Sequence, residues 1–268
     1  MATQLLMAKS PEEAAGAKNA SAVFLAGGTE VNRLGSDAAA AADTLISLKK
    51  CAGLKDIKDD GGFVTIGAMV TFQMLIESGD VPEWLKEAAC FMASRTKRNM
   101  ATIAGNIAAK RSDSYLIPSL SAAGAVLELM GADGKTEKMG ITDYTDEDSD
   151  CADRLIVSVT VPKSIKMVSK RYANTAQSHA VLTMSAALGD EGIRLNGAVK
   201  NVGLLWFCDL EKAFRENPDI SEDEIIEMVR TCTGLQTADD MFGSDAYKRY
   251  LIAVTAYDLH KRLAGKEV

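Results

Sequence analysis

Two short stretches of this chain carry the residue types that a phosphate group requires. Phe24-Leu25-Ala26-Gly27-Gly28-Thr29-Glu30 and Asn99-Met100-Ala101-Thr102-Ile103-Ala104-Gly105-Asn106-Ile107 are rich in small residues, each with a threonine inside. Small side chains let backbone N–H groups come close to an anion, and successive N–H groups form an anion-binding concavity. A loop that opens a helix also points the positive end of that helix at the anion. Two such loops from separate subdomains could grip both phosphates of a dinucleotide. Taken singly, the first reads equally as a tight turn and the second as a packed strand end. Neither is GxGxxG, so a Rossmann nucleotide fold is not indicated.

The remaining reactive residues point away from most other chemistries. The five cysteines, Cys51, Cys90, Cys151, Cys208 and Cys232, include no CxxC pair. That spacing does not support a zinc site, an iron–sulfur cluster or a disulfide framework, and buried or idle thiols are expected. His179 and His260 are the only histidines, and neither lies in an HExxH motif. The chain also lacks GxSxG and GxxxxGK[ST], the elbow of serine hydrolases and the loop of P-loop nucleotidases. A net charge of -7 is the wrong sign for a general nucleic-acid binder. The N-terminus has no basic start followed by a long apolar stretch, and no apolar run is long enough to span a bilayer. A cytoplasmic protein without membrane or nucleic-acid partners is expected. The basic cluster Arg95, Lys97, Arg98, Lys110 and Arg111 reads either as a solvated face or as an attractor for an anion.

The elements that would position the two loops follow from local signals. Ser10 caps a helix over Pro11–Ala20 that opens on Pro11, Glu12 and Glu13. Ser21–Leu25 is a short strand feeding the first loop, and Asp43–Leu48 a second strand. Lys55–Lys58 and Phe63–Gly67 form strands around a turn at 59–62. Thr71 caps a helix through Ser78, and Pro82 opens another. After the second loop, Ser112 is the expected cap of a helix that Pro118 disturbs or resets. Ala125–Met130 and Thr136–Met139 are strands, Tyr144–Asp153 an exposed loop, and Leu155–Val161 a strand ended by Pro162. Beyond it, Ser164–Tyr172 and Arg194–Phe207 have strand character, and His179–Leu188 is either a strand or a small-residue helix. The C-terminal helices cover Asp209–Arg215, Ser221–Cys232 with a capping box at Ser221 and Glu224, and Ser244–Leu263. A domain boundary is expected near Pro162.

Four segments in the same order give the chain a family resemblance. AGGTE at 26–30, IGAMVT at 66–71, RNMATIAGNIA at 98–108 and DDMFGSDAYKRY at 239–250 resemble the FAD-binding subunits of molybdenum hydroxylases, the medium-subunit type of xanthine and carbon monoxide dehydrogenases. The departures are those of a divergent bacterial branch. Glu30 stands for Asp, Ala104 for the first glycine of TIGGN, and Tyr115 for an Asp that reaches the flavin side chain, with Asp113 two residues earlier.

The resemblance implies an α+β fold: a two-subdomain FAD-binding domain of the molybdopterin dehydrogenase type over 1–162, split near 55–60, then a small C-terminal α+β domain over 163–268. It implies FAD as cofactor. Ala26, Gly27, Gly28, Thr29 and Glu30, flanked by Leu25 and Val31, would hold the diphosphate. Thr102, Ala104, Gly105 and Asn106 would close from the other side. Asp113, Ile156 and Arg171 would lie near the flavin or adenine. It further implies an electron-relay subunit, inactive alone, whose partners are an iron–sulfur subunit and a large molybdenum-type catalytic subunit, with NAD(P) or another acceptor. A stand-alone flavoenzyme and an assembly subunit that has lost FAD are the two alternatives.

Overall fold

The computed structural model describes residues 4–33, 42–146, 148–151, 153–190 and 192–265. They fall into two compact units, the first of residues 1–82, 92–109 and 124–163, the second of residues 83–91, 110–123 and 164–268.

The first unit holds two sheets. β1 (Gln4–Met7), β2 (Ala22–Leu25) and β3 (Thr44–Ser47) form a parallel sheet with β3 in the centre. Between β1 and β2 runs α1 (Pro11–Gly16), capped by the Ser10 hydroxyl, which accepts from the Glu13 N–H at 3.2 Å. The helix stops at Gly16 rather than Ala20. Between Ser47 and Ile57 the chain leaves this sheet for an antiparallel one of β4 (Ile57–Asp59), β5 (Phe63–Gly67), β6 (Val126–Met130), β7 (Thr136–Gly140) and β8 (Leu155–Pro162), in the order β4-β5-β8-β6-β7. α2 (Phe72–Glu77) follows β5 with Thr71 as its cap. Its Phe72 and Leu75 are buried with Val64, Ile66, Leu127, Leu129, Val159 and Val161 of the strands.

The second unit is built on a four-stranded antiparallel sheet. α3 (Glu83–Cys90) belongs to it, whereas α4 (Arg95–Arg98) and α5 (Ile103–Ala108) belong to the first unit. α6 (Ile117–Ala122) belongs to the second unit and α7 (Ile141–Thr145) to the first. The sheet runs β12-β11-β10-β9, from β9 (Lys166–Tyr172), β10 (Leu182–Gly189), β11 (Gly192–Val199) and β12 (Gly203–Trp206). α8 (Cys208–Glu216), α9 (Glu222–Thr231) and α10 (Asp245–Leu263) complete it. Side chains alternate across a strand. One face, with Leu182, Met184 and Ala186, packs on Leu251, Ile252 and Leu259 of α10. The other carries Ser169 and Ser185, whose hydroxyls bond each other and Ser119 of α6.

Other local readings are decided by the structure. α6 has Leu116 at its N-cap position and no side-chain cap there; the Ser114 hydroxyl accepts from the Ile117 N–H, while the Ser112 hydroxyl accepts from the Asn201 N–H, 89 positions away. Of the two readings of Pro118, the reset holds: the helix begins at Ile117, and Pro118 occupies its first turn, where its missing N–H has no helical partner to lose. The stretch from Tyr144 is not all loop, because Tyr144 and Thr145 close α7, which carries buried Ile141 and Tyr144. The segment read as strand or helix, His179–Leu188, is strand from Leu182, where its apolar alternate positions meet α10.

Candidate cofactor-binding site

The first loop leaves the end of β2 on a parallel sheet, where the strand hands its direction to whatever follows. Leu48 N–H bonds the Leu25 carbonyl at 3.0 Å, which holds the strand end against β3. The chain then turns through Gly28 at φ +74°, a conformation that only glycine adopts without cost. The turn closes downstream, where Asn32 N–H bonds Gly28 O and Arg33 N–H bonds Glu30 O, each at 3.0 Å, and the Arg33 and Glu30 side chains pair at 2.9 Å. Between these fixed points, the N–H groups of Gly27, Gly28 and Thr29 donate to nothing among the described residues. Three adjacent unpaired donors around a left-handed glycine make an anion nest. Thr29 is exposed and Leu25, Ala26, Glu30 and Val31 are half-buried, so the donors border solvent.

The second segment reaches the first directly. A Cβ built on Gly27 would lie 1.7 Å from the Met100 carbonyl oxygen, so the two backbones touch where only a glycine fits. α4 precedes the contact, capped by Ser94. Arg98 ties this turn down, with Nε donating to Gln73 Oε1 at 3.0 Å and Nη1 to the carbonyls of Met92 and Ala93 at 2.8 and 2.9 Å. Of the other basic-cluster residues, Arg95 pairs with Glu77 and Arg111 with Asp113. These contacts fit local structure better than a free attractor for an anion.

The expected donors of the second segment are, however, already engaged. Residues 68–72 run alongside 101–104, joined by a bridge between Thr71 and Thr102. Phe72 N–H bonds Ala101 O and Ile103 N–H bonds Val70 O, each at 3.0 Å, and Ala104 N–H bonds Ala68 O at 3.4 Å. Thr102 caps α5 by accepting from Gly105 N–H at 3.1 Å, and its carbonyl accepts from Asn106 N–H at 3.0 Å. The segment therefore offers the first loop a packed wall of small residues, not a second set of N–H donors. Ala104 is helical, and φ is not positive there, so its methyl group in place of a glycine costs no backbone strain.

Ile156 lies on β8 beside an irregularity. The register with β6 passes from Glu128 opposite Ser158 to Leu129 opposite Ile156, leaving Val157 as a bulge. A bulge bends a strand and re-aims its side chains. The Val157 carbonyl accepts from Ala68 N–H at 2.9 Å, so the Ala68 peptide links the β8 bulge to α5.

Asp113 and Arg171 belong to the second unit, where they share a cluster. Asp113 is 3% exposed, and its carboxylate takes Arg111 at 2.7 Å, His179 Nδ1 at 2.6 Å and Lys200 Nζ at 3.0 Å. Burial alone would raise its pKa, but hydrogen bonds and charge from Arg111 and Lys200 outweigh burial and hold it well below the usual carboxylate range. Arg171 donates to the Ser178 carbonyl and lies over the Tyr115 ring, 5.7 Å from its centroid. Burial raises the pKa of the Tyr115 phenol. Sequence reasoning did not find the ligands His179 and Lys200. Only their position in the fold, not their spacing, brings them to Asp113. No described group of His, Cys, Asp and Glu residues could hold a metal ion.

Residues 1–164 match the model of the FAD-binding domain in molybdopterin dehydrogenases. The chain belongs to this family. FAD is the family's cofactor, and the nest at Gly27–Thr29, whose N–H groups have no acceptor among the described residues, fits it. Over 257 residues the chain is 31% identical to the uncharacterized protein YgfM of Escherichia coli strain K12, covering 92% of this chain and 90% of that protein. The fold is also that of chains in quinoline 2-oxidoreductase from Pseudomonas putida 86, with TM-score 0.84 and 20% identity over 99% of this chain and 98% of that one. Reconstituted CO dehydrogenase from Oligotropha carboxidovorans gives TM-score 0.84 and 20% identity over 100% and 99%. The chain thus carries the FAD-binding domain of the molybdopterin dehydrogenase family, and its described residues form a mixed helix-and-sheet fold. No helix among the described residues is long and apolar enough to cross a membrane.

Proposed function

We propose that the chain is the electron-transfer subunit of a xanthine dehydrogenase-like, cytoplasmic hetero-oligomer, carrying electrons between an iron–sulfur subunit and NAD(P) or another acceptor. A large molybdenum-type catalytic subunit completes the assembly, and the chain alone turns over no substrate. The observation that carries this reading is the row of N–H groups at Gly27, Gly28 and Thr29 that have no acceptor among the described residues, within a family that binds FAD. When bound, the flavin supplies the redox chemistry, and the protein contributes position and electrostatics.

In this reading the FAD-binding domain ends near Pro162. Leu25, Ala26, Gly27, Gly28, Thr29, Glu30 and Val31 form the diphosphate loop, with the three free N–H groups as donors. Thr102, Ala104, Gly105 and Asn106 act as the wall that fixes the loop's shape. Ile156, aimed by the bulge at Val157, is an apolar contact for the cofactor. For Asp113, already bound to Arg111, Lys200 and the His179 ring, and for Arg171, the contacts support a part in ordering their own unit.

The test is flavin content. Purified chain should carry one FAD, and Gly28→Val should be apo, because a β-branched residue cannot hold φ +74° and would cover the nest. Full flavin occupancy in that variant would refute the loop assignment. Absence of flavin from the wild-type chain would favour an assembly subunit instead.

A further inference from the structure

The four-stranded sheet of the second unit ends on one side at β12, which pairs with β11 and with no other strand among the described residues. Phe207 N–H bonds Leu195 O at 3.1 Å, which fixes the phase of the ladder. In an antiparallel pair, hydrogen-bonded and non-bonded residues alternate. Gly203 and Leu205 therefore turn their backbone groups toward β11, and Leu204 and Trp206 turn theirs outward. Among the described residues nothing bonds those outward N–H groups.

Beside this edge lies a cleft of about 790 Å³. Leu205 and Phe207 line it from the sheet side, and Met228, Val229 and Leu235 from the side of α9 and the loop after it. Trp206 stands at its margin, 38% exposed. A row of free backbone donors and acceptors next to an apolar trough is the arrangement that accepts an added strand: the backbone supplies affinity, and pockets for alternate side chains supply selectivity. Natural sheets normally blunt such an edge with lysine, proline or a covering segment. Gly203-Leu204-Leu205-Trp206 has no lysine or proline.

The charge around the trough decides the character of the occupant. Of the charged side chains that line the trough, Asp209 and Glu216 stand against Lys212, an excess of one negative charge, and α8 and α9 as whole helices carry seven acids against three bases. A second copy of this chain, itself at -7, is disfavoured by that field.

We propose that the outer edge of β12 is a docking site for an extended segment of a partner subunit, with apolar side chains at alternate positions and lysine or arginine between them. The segment pairs with Leu204 and Trp206 and lays its apolar side chains in the trough lined by Leu205, Phe207 and Met228. The inference rests on the reading of the chain as one subunit of a hetero-oligomer, and it assigns the contact to the second unit, whereas the loop at 26–30 belongs to the first.

The experiment is hydrogen exchange on the tagged full-length chain, alone and in the complex purified from its own host. In the complex, the Leu204 and Trp206 amides should exchange at least tenfold more slowly than in the isolated chain. Two variants accompany it. Leu204→Pro removes an outward N–H without touching the ladder to β11, where an edge strand tolerates proline. Trp206→Ala trims an exposed side chain. Both should keep the circular dichroism spectrum of the wild type and weaken complex formation at least tenfold. Recovery of the complex with unchanged exchange at both amides overturns the docking site and leaves the subunit reading intact. Failure to recover any redox partner overturns both. Protection that grows with the concentration of the isolated chain shows self-association at this edge and overturns the choice of partner.

Discussion

Replacing Gly27 by alanine tests the contact on which the loop at 26–30, proposed above to hold the cofactor, depends. The new Cβ would sit 1.7 Å from the Met100 carbonyl oxygen and 2.7 Å from its carbon, where real contacts are not shorter than 3.0 Å. The loop and the wall must part by the difference between 3.0 and 1.7 Å, about 1.3 Å. Overpacking of this kind costs about 1–3 kcal/mol. The obstacle is backbone, so no side-chain rotation relieves it. The wall is also held by the bonds from Phe72 N–H to Ala101 O and from Ile103 N–H to Val70 O. The cost therefore falls near the top of that range, about 3 kcal/mol, or roughly a hundredfold in the folding equilibrium. Gly28→Ala makes the contrast. Its Cβ meets the movable Asn32 amide at 2.8 Å, and the φ of +74° adds strain of about 1–2 kcal/mol. Both tryptophans, Trp84 and Trp206, lie in the second unit, so their fluorescence does not report on this one. The appropriate assay is hydrogen exchange of the β5 amides in the apo chain, together with flavin titration. Gly27→Ala should lose more protection in β5 than Gly28→Ala and should also bind FAD more weakly than the wild type. Equal protection in Gly27→Ala and wild type would refute the close approach of the two segments.

Three further outcomes follow from the same geometry. Asp113 has a depressed pKa, so the unfolded chain takes up its proton first as pH falls; the stabilisation is complete above the ordinary value of 3.8 and is lost progressively below it. Asp113→Asn should remove that acid-side slope and cost about 3–5 kcal/mol at neutral pH, because Arg111 and Lys200 lose their buried counter-charge; an unchanged urea midpoint would contradict this. Thr102→Ala should cost about 1 kcal/mol by leaving Gly105 N–H uncapped, and Thr102→Ser should restore it; equal stability of the two variants would show that the cap contributes nothing. Elemental analysis of the purified chain should find no stoichiometric iron or molybdenum, and one iron per chain would overturn the reading of its cysteines as structural.

Much of the fold was legible because its signals are local. Ser10, Thr71 and Ser221 cap helices within three residues of themselves, and the bonds to Glu13, Met74 and Glu224 form as read. The reading failed where a side chain had a distant alternative. Ser112 looks like a cap, but its partner is Asn201 N–H. On α10, Tyr247, Tyr250 and Leu251 share the i, i+3, i+4 spacing of one helical face, yet Leu251 is buried in the core and both tyrosines are exposed.

The sequence by itself determined the family and its cofactor, through four segments in a fixed order, and marked the two glycines and threonine after the strand at 22–25 as a candidate loop. Tertiary structure alone decided what each loop contributes. The N–H groups of residues 103–106 look as available in the sequence as those of 27–29, yet strand-like pairing with residues 68–72 and the Thr102 cap consume them. It also decided that Asp113 is a buried hub, because Lys200 and His179 reach it through β11 and the turn before β10. A hydrogen-bond donor is a property of a residue, but its availability depends on which acceptors the folded chain brings within about 3 Å.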